Sequence, residues 1–176
     1  IFINEFCFRL RDPGSALTHF IAMILALLAA TPLLLKAANG LNSAHLGAFA
    51  VFIVSMICLY GASTVYHTFD ISEKVNKVLR KIDHAMIFVL IAGSYTPFVL
   101  PYFETTEAII FLGILWFVAI GGILMKIFWI DAPRIATTLL YLLMGWAAVF
   151  YLPAFVQNLS TGCMILVVSG GIFYSI

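Results

Sequence analysis

Long apolar runs, broken by short polar clusters, set the pattern of this chain. Six runs have the length or composition of membrane-crossing helices, which need about 20 apolar residues each. They cover approximately Ser15–Leu35, Ala44–Tyr66, Ile82–Tyr102, Thr106–Phe128, Pro133–Phe155 and Gly162–Ile176. The breaks between them have local causes. Pro13 and Gly14 make a turn before the first run, with Ser15 placed to cap the helix. Asn39, Gly40 and Asn42 form the next turn. The longest polar stretch, Asp70 to Lys81, reads as a separate short amphipathic helix at the interface, capped by Ser72. Pro133 stands where a first helical residue would be. Pro97 should kink or end the third helix, because it removes a backbone hydrogen bond. That bend serves packing or opens a cavity.

Composition agrees with this pattern. Hydrophobic residues make up 64% of the 176 and charged residues 10%. Soluble domains carry about 25% charged residues. The expected fold is all-α: a polytopic membrane helix bundle forming one transmembrane domain over residues 1–176. The chain starts at Ile1 rather than Met and ends within an apolar run at Ile176. It is therefore expected to be a fragment that lacks a last helix, with six of seven spans present. Cys7, Cys58 and Cys163 show neither zinc spacing nor a disulfide framework and read as free thiols or core residues. No basic run indicates nucleic acid binding.

Charge placement predicts orientation. Of nine Lys and Arg residues, all but Lys36 fall on one side when the ends are numbered alternately. Arg9 and Arg11 precede the first span, Lys74, Lys77, Arg80 and Lys81 lie between the second and third, and Lys126 and Arg134 lie between the fourth and fifth. The other side carries Lys36 with Glu104 and Glu107. The positive-inside rule then makes the amino terminus cytoplasmic.

Ionisable residues inside spans are costly and mark function. His19, His67, Asp83 and His84 pass that filter, and Ser63 lies one helical turn before His67 on the same face. Chain direction puts His19, Ser63, His67 and Asp83 within about two turns, roughly 11 Å, of the cytoplasmic surface. Each has an ordinary explanation as well. Ser63 fits close helix packing, Asp83 suits a helix amino end, and His19 suits packing. His84 and His45 suit an interface. Together the group suits metal-assisted hydrolysis. His67 would bind zinc, Asp83 would handle a water, and Ser63 would assist as a catalytic hydroxyl.

The segments Ser63-Thr64-Val65-Tyr66-His67-Thr68-Phe69, Lys81-Ile82-Asp83-His84-Ala85-Met86-Ile87-Phe88 and Ala92-Gly93-Ser94-Tyr95-Thr96-Pro97-Phe98 resemble the bacterial hemolysin III family. So does Asp12-Pro13-Gly14-Ser15-Ala16-Leu17-Thr18-His19. That family is related to the adiponectin and progestin receptor group and, distantly, to alkaline ceramidases. The resemblance implies seven helices with the amino terminus inside. It also implies zinc near the cytoplasmic face, held by the histidine of an SxxxH pattern, which His67 matches behind Ser63. An aspartate facing the zinc-bound water is matched by Asp83. The other two ligands of the pattern come from an HxxxH on the seventh helix, a motif this chain does not contain. His19 matches a position often seen in the family; it is assigned no ligand role and is expected to support the site or handle protons.

Three functions follow as expectations. The first is a zinc-dependent hydrolase of lipid amides, acting on a ceramide-like or other amphiphilic substrate among membrane lipids of a bacterial plasma membrane. The second is a cytolytic pore-former, which so apolar a chain fits poorly because a secreted toxin must first be soluble. The third is a membrane-state sensor or receptor with a structural metal. A transporter is disfavoured because no charged residue lies at mid-membrane depth.

Overall fold

The computed structural model describes residues 10–39, 43–100, 106–152, 156–157 and 159–175. Cys7, Arg9, Gly40, Asn42, Tyr102, Glu104, Phe155 and Ile176 lie outside them. The described residues form α1 (Pro13–Ala38), α2 (Ser43–Thr68), α3 (Glu73–Val99), α4 (Thr106–Phe128), α5 (Arg134–Trp146), a 3₁₀ turn (Ala147–Tyr151) and α6 (Thr161–Ser175). This is an all-α membrane helix bundle. Four of its helices are long and apolar enough to cross a membrane: Pro13–Ala38, His45–Thr68, Glu73–Val99 and Ile109–Phe128. The fifth and sixth candidate spans are shorter apolar helices, Arg134–Phe150 and Thr161–Ser175.

Local chemistry moves several boundaries. Asp12, not Ser15, is the N-cap of α1: Pro13 already has helical geometry, so the cap falls one residue earlier. The Asp12 carboxylate accepts from the Ser15 backbone N–H at 3.4 Å and from the Ser15 hydroxyl at 2.6 Å. Pro133 is likewise the N-cap of α5 rather than its first residue, and its carbonyl accepts from Thr137 N–H at 3.2 Å. Ser72 does cap α3, accepting from Val75 N–H at 3.4 Å. The amphipathic segment after it is not a separate helix. It runs without a break into the third span, because no Gly or Pro interrupts Glu73 to Ala92. Pro97 acts as a terminator, with α3 ending two residues later at Val99.

The fifth span is not one continuous α-helix. The Tyr95 hydroxyl donates toward the Met144 and Gly145 carbonyls, at 3.0 and 2.5 Å, and accepts from Ala148 N–H at 2.8 Å. In an α-helix that N–H would bond Met144 O. A side chain inserted into the ladder diverts it, and the chain tightens into the 3₁₀ turn.

Helix α3 is the centre of the bundle. Over half of its apolar window is buried (56%), against 11% for α1 and 28% for α4. The core joins Phe88, Ile91, Ala92, Tyr95 and Val99 of α3 to Leu112, Leu115 and Ala119 of α4 and Met144 of α5. Helix α1 packs on α2, α2 on α3, and α3 on α4. Large apolar side chains such as Leu28, Phe117 and Phe128 face outward. Lipid makes that exposure favourable, where water would not.

Close approach of α4 to α3 depends on Gly122. A Cβ there would lie 2.3–2.6 Å from three atoms of the Phe88 ring, which is wholly buried and has nowhere to move. At Gly113 an added Cβ meets nothing within 4 Å. Gly122→Ala should therefore destabilise by about 1–3 kcal/mol through overpacking, less the roughly 1 kcal/mol gained in helix propensity. Gly113→Ala should be neutral or stabilising. Thermal midpoints in detergent check both, and a Gly122→Ala protein as stable as Gly113→Ala would contradict this packing.

Candidate functional site

The amino-terminal segment, the α2–α3 junction and the α4–α5 junction meet at one end of the bundle. Leu10 pairs with Phe69 in an isolated antiparallel bridge, and Asp12 N–H donates to the His67 carbonyl at 2.9 Å. The Arg11 guanidinium stacks over the Tyr66 ring, 4.4 Å from its centre. Arg80 pairs with Asp131, Lys77 lies 3.9 Å from the same carboxylate, and Lys81 donates to the Ile127 carbonyl. Lys126, placed in a loop by charge reading, is instead buried in the last turn of α4 and donates to Thr137 Oγ1 at 3.0 Å. The described cations that the sequence places on one side do gather at one end.

Inside that end, antiparallel packing of α1 on α2 joins the intramembrane polar residues. Ser63 Oγ and His19 Nδ1 are 2.6 Å apart, and Ser63 is buried. The His19 and His67 rings sit edge to face with centres 5.6 Å apart. His67 Nδ1 faces Asp12 Oδ2 at 3.5 Å, an ion-pair distance somewhat longer than a hydrogen bond. Beyond His67 the ring contacts continue to Tyr66 and then to His84. His84 is half-buried at the end of this stack, and its carbonyl accepts from the Tyr141 hydroxyl at 3.0 Å.

Asp83 is buried on α3 beside His84. Among the described residues no hydrogen bond or ion pair joins it to Ser63 or His67. Two expected members, Ser63 and His67, therefore both contact His19, and Asp83 lies on the neighbouring helix with no direct bond to either. Sequence reading gave His19 a supporting or proton-handling role without naming its partner, and missed Asp12 as the partner of His67. The Asp-Pro pair that starts α1 was the available signal, since it fixes where the carboxylate sits. Cys58 and Cys163 are free, as expected.

The donor set can be tested against zinc chemistry. A catalytic zinc takes three protein ligands. Among the described residues no three His, Cys, Asp or Glu side chains come together. What is present fits part of such a site: two neighbouring imidazoles, each with Nδ1 against an oxygen. That is the usual outer-shell setting of a metal-binding histidine.

A cavity of about 660 Å³ opens among α2, α3, α5 and α6. Its walls are almost wholly apolar and include Met56, Leu59, Ile87, Tyr95, Phe98 and Leu166. Leu59 is one helical turn from Ser63, and Ile87 is one turn from Asp83. The apolar space thus begins one turn deeper than the polar group on both helices.

Residues 9–176 match the family described as "Haemolysin-III related". The chain belongs to that family. It is 38% identical over 163 residues to the "Hemolysin-3 homolog" of Bacillus subtilis (strain 168), covering 93% of this chain and 76% of that protein. It is also 38% identical over 163 residues to "Hemolysin-3" of Bacillus cereus, covering 93% and 74%. No solved structure matches. With its long apolar helices, this family member is an integral, multi-pass membrane protein.

Asp12 lies outside the spans, and its carboxyl is held below the ordinary 3.8, first by the Ser15 hydroxyl hydrogen bond and then by Ser15 N–H. A carboxylate with a lowered folded pKa stabilises above its unfolded pKa, and the effect is lost as pH falls through the folded value. Asp12→Ala should thus lower the thermal midpoint at neutral pH. The gap to wild type should close as pH drops below about 4. A gap independent of pH would show that the Asp12 charge plays no part.

Proposed function

We propose that this protein is a zinc-dependent hydrolase of lipid amides, such as ceramide-like amphiphiles, with its site near the cytoplasmic face of a bacterial plasma membrane. The observation that carries this reading is that Ser63 and Asp83, at the cation-rich end, each lie one helical turn along their helix from a residue that walls an apolar cavity, Leu59 and Ile87. An amphiphile placed there would set its polar linkage at Ser63 and Asp83 and its chain in a cavity of ordinary ligand size. The cation-rich end is assigned to the cytoplasm by the positive-inside rule.

In this reading His67 is a zinc ligand through Nε2, since Asp12 faces its Nδ1. The remaining ligands would be those of the family's HxxxH pattern. When bound, zinc supplies Lewis acidity and lowers the pKa of a coordinated water. Asp83 accepts the proton of the attacking water. Its burial on α3 near the cation-rich end favours that role. Ser63 donates to the oxygen on which negative charge develops. It can do so when His19 Nδ1–H donates to Ser63 Oγ, which leaves the Ser63 proton free. The name of the Bacillus cereus relative supports a cytolytic alternative. A chain so apolar throughout its spans favours permanent membrane residence over a soluble toxin that inserts later.

The test uses full-length, detergent-purified protein. Zinc measured by elemental mass spectrometry should be near-stoichiometric and fall in His67→Ala. Asp83→Asn should retain zinc and lose about 10²–10⁴-fold in hydrolysis of a fluorescent long-chain amide. A zinc-free wild type, or an Asp83→Asn protein as active as wild type, would sink this mechanism.

A further inference from the structure

We propose that the cation-rich end carries a further binding site, for the phosphodiester of an anionic phospholipid with a hydroxylated headgroup. Arg11, Lys77 and Arg80 would hold the phosphate, and Glu73 and Asp131 the headgroup hydroxyls. The site is separate from Ser63 and Asp83 and does not depend on zinc.

Its walls come from three places in the chain. A polar cavity of about 270 Å³ lies between the residues before α1, the start of α3 and the turn joining α4 to α5. It is lined by Arg11, Glu73, Asn76, Lys77, Arg80 and Asp131. Three cations face two carboxylates there, so the lining carries one net positive charge. A phosphodiester monoanion neutralises that charge, and the carboxylates disfavour a dianion. They also offer acceptors to hydroxyl groups attached to the phosphate.

The cations have donors to spare. The Arg11 guanidinium lies 4.4 Å from the Tyr66 ring centre. Stacking uses its face and leaves its N–H edges available, and among the described residues no ion pair engages it. Arg80 meets Asp131 through Nη2, whereas its Nε is buried with no hydrogen-bond partner among the described residues. Such a donor is uncommon in a native fold, and a guanidinium grips a phosphate with two donors at once. Lys77 stands 3.9 Å from Asp131 Oδ2 and is 59% exposed, so it can turn to an added anion. Asn76 is already committed to Asp70 and to Ile71 N–H and serves only as wall.

Apolar neighbours point to a lipid rather than a soluble phosphate. Val75, Val78 and Ile82 are exposed on one face of the same stretch of α3. Phe128 and Trp129, just before the Asp131 wall, are 83% and 58% exposed. Tryptophan favours headgroup depth. A lipid with its phosphate in the cavity can lay its chains on these side chains. The positive-inside rule puts this end at the cytoplasmic leaflet, where basic pockets between membrane helices take anionic headgroups.

Native mass spectrometry of full-length, detergent-purified protein counts bound lipid, with thermal midpoints measured alongside. Phosphatidylglycerol should bind saturably, in preference to phosphatidylcholine and phosphatidic acid, and raise the thermal midpoint. Arg11→Gln and Lys77→Gln each remove one exposed cation and should weaken binding about tenfold, as for a lost hydrogen bond between charged groups. Midpoints without lipid verify that both variants fold; if either does not, the wild-type preference decides. Lys74→Gln, on the same helix but outside the cavity, should change affinity less than about threefold, because exposed charges are screened. Equal losses from Lys74→Gln and Lys77→Gln would reduce the binding to a diffuse surface field and overturn the site. Glycerophosphoglycerol that competes as well as the lipid overturns the lipid assignment and makes the ligand a soluble phosphodiester. Phosphatidic acid that binds as tightly overturns the phosphodiester assignment, and no preference over phosphatidylcholine overturns the whole inference.

Discussion

The hydrogen bond between Ser63 Oγ and His19 Nδ1 ties α1 to α2 at the polar end of this bundle, alongside the contacts of the residues before α1 with His67, Tyr66 and Phe69. Its strength comes from its surroundings. Ser63 is buried, and an unpaired polar group in hydrocarbon is costly. The bond sets the rotation of α1 against α2. That rotation turns the His19 ring to the edge of His67 and carries the chain before α1 back over the end of α2. Asp12 and Arg11 then reach His67 and Tyr66. If this bond were removed, the amino-terminal strap would be fixed mainly by its backbone contacts at His67 and Phe69.

The membrane explains why the rest of the fold can be so open. A water-soluble bundle could not leave α1 with 11% of its apolar window buried. Here the core needs only α3, with α4 and α5 packed around Phe88 and Tyr95. The peripheral helices are free to be placed by polar contacts. Structure and candidate chemistry thus divide between two regions. Packing is concentrated along α3 and α4, and reactive groups lie at the cation-rich end, above an apolar cavity. In the proposed function, an amphiphilic ligand meets both environments at once.

Much of this architecture was legible in the sequence. Run length and charge segregation gave the helices and gathered the described cations at one end, because both obey simple transfer energetics. The SxxxH spacing put Ser63 and His67 on one face, since helical periodicity is local. Partners across helices were less legible. Nothing in the spacing of His19 specifies Ser63 as its neighbour, because that depends on the rotation of two helices about their axes. The break in the fifth span was invisible for the same reason: it is caused by Tyr95, about 50 residues away in α3. The interfacial segment before the third span shows a different limit. Amphipathicity was read correctly, but amphipathicity does not tell where one helix ends and the next begins.

The account depends most directly on the coupling between Ser63 and His19, which a double-mutant cycle measures without any metal or substrate. Thermal or denaturant stability would be compared for wild type, Ser63→Ala, His19→Gln and the double variant. Hydrogen bonds between membrane helices give coupling energies averaging about 0.6 kcal/mol and reaching about 1.7. A coupling in the upper half of that range is predicted for this short bond to a buried serine. Additive effects, with no coupling beyond experimental error, would mean that the two side chains do not meet, and the site built upon them would fall with the bond.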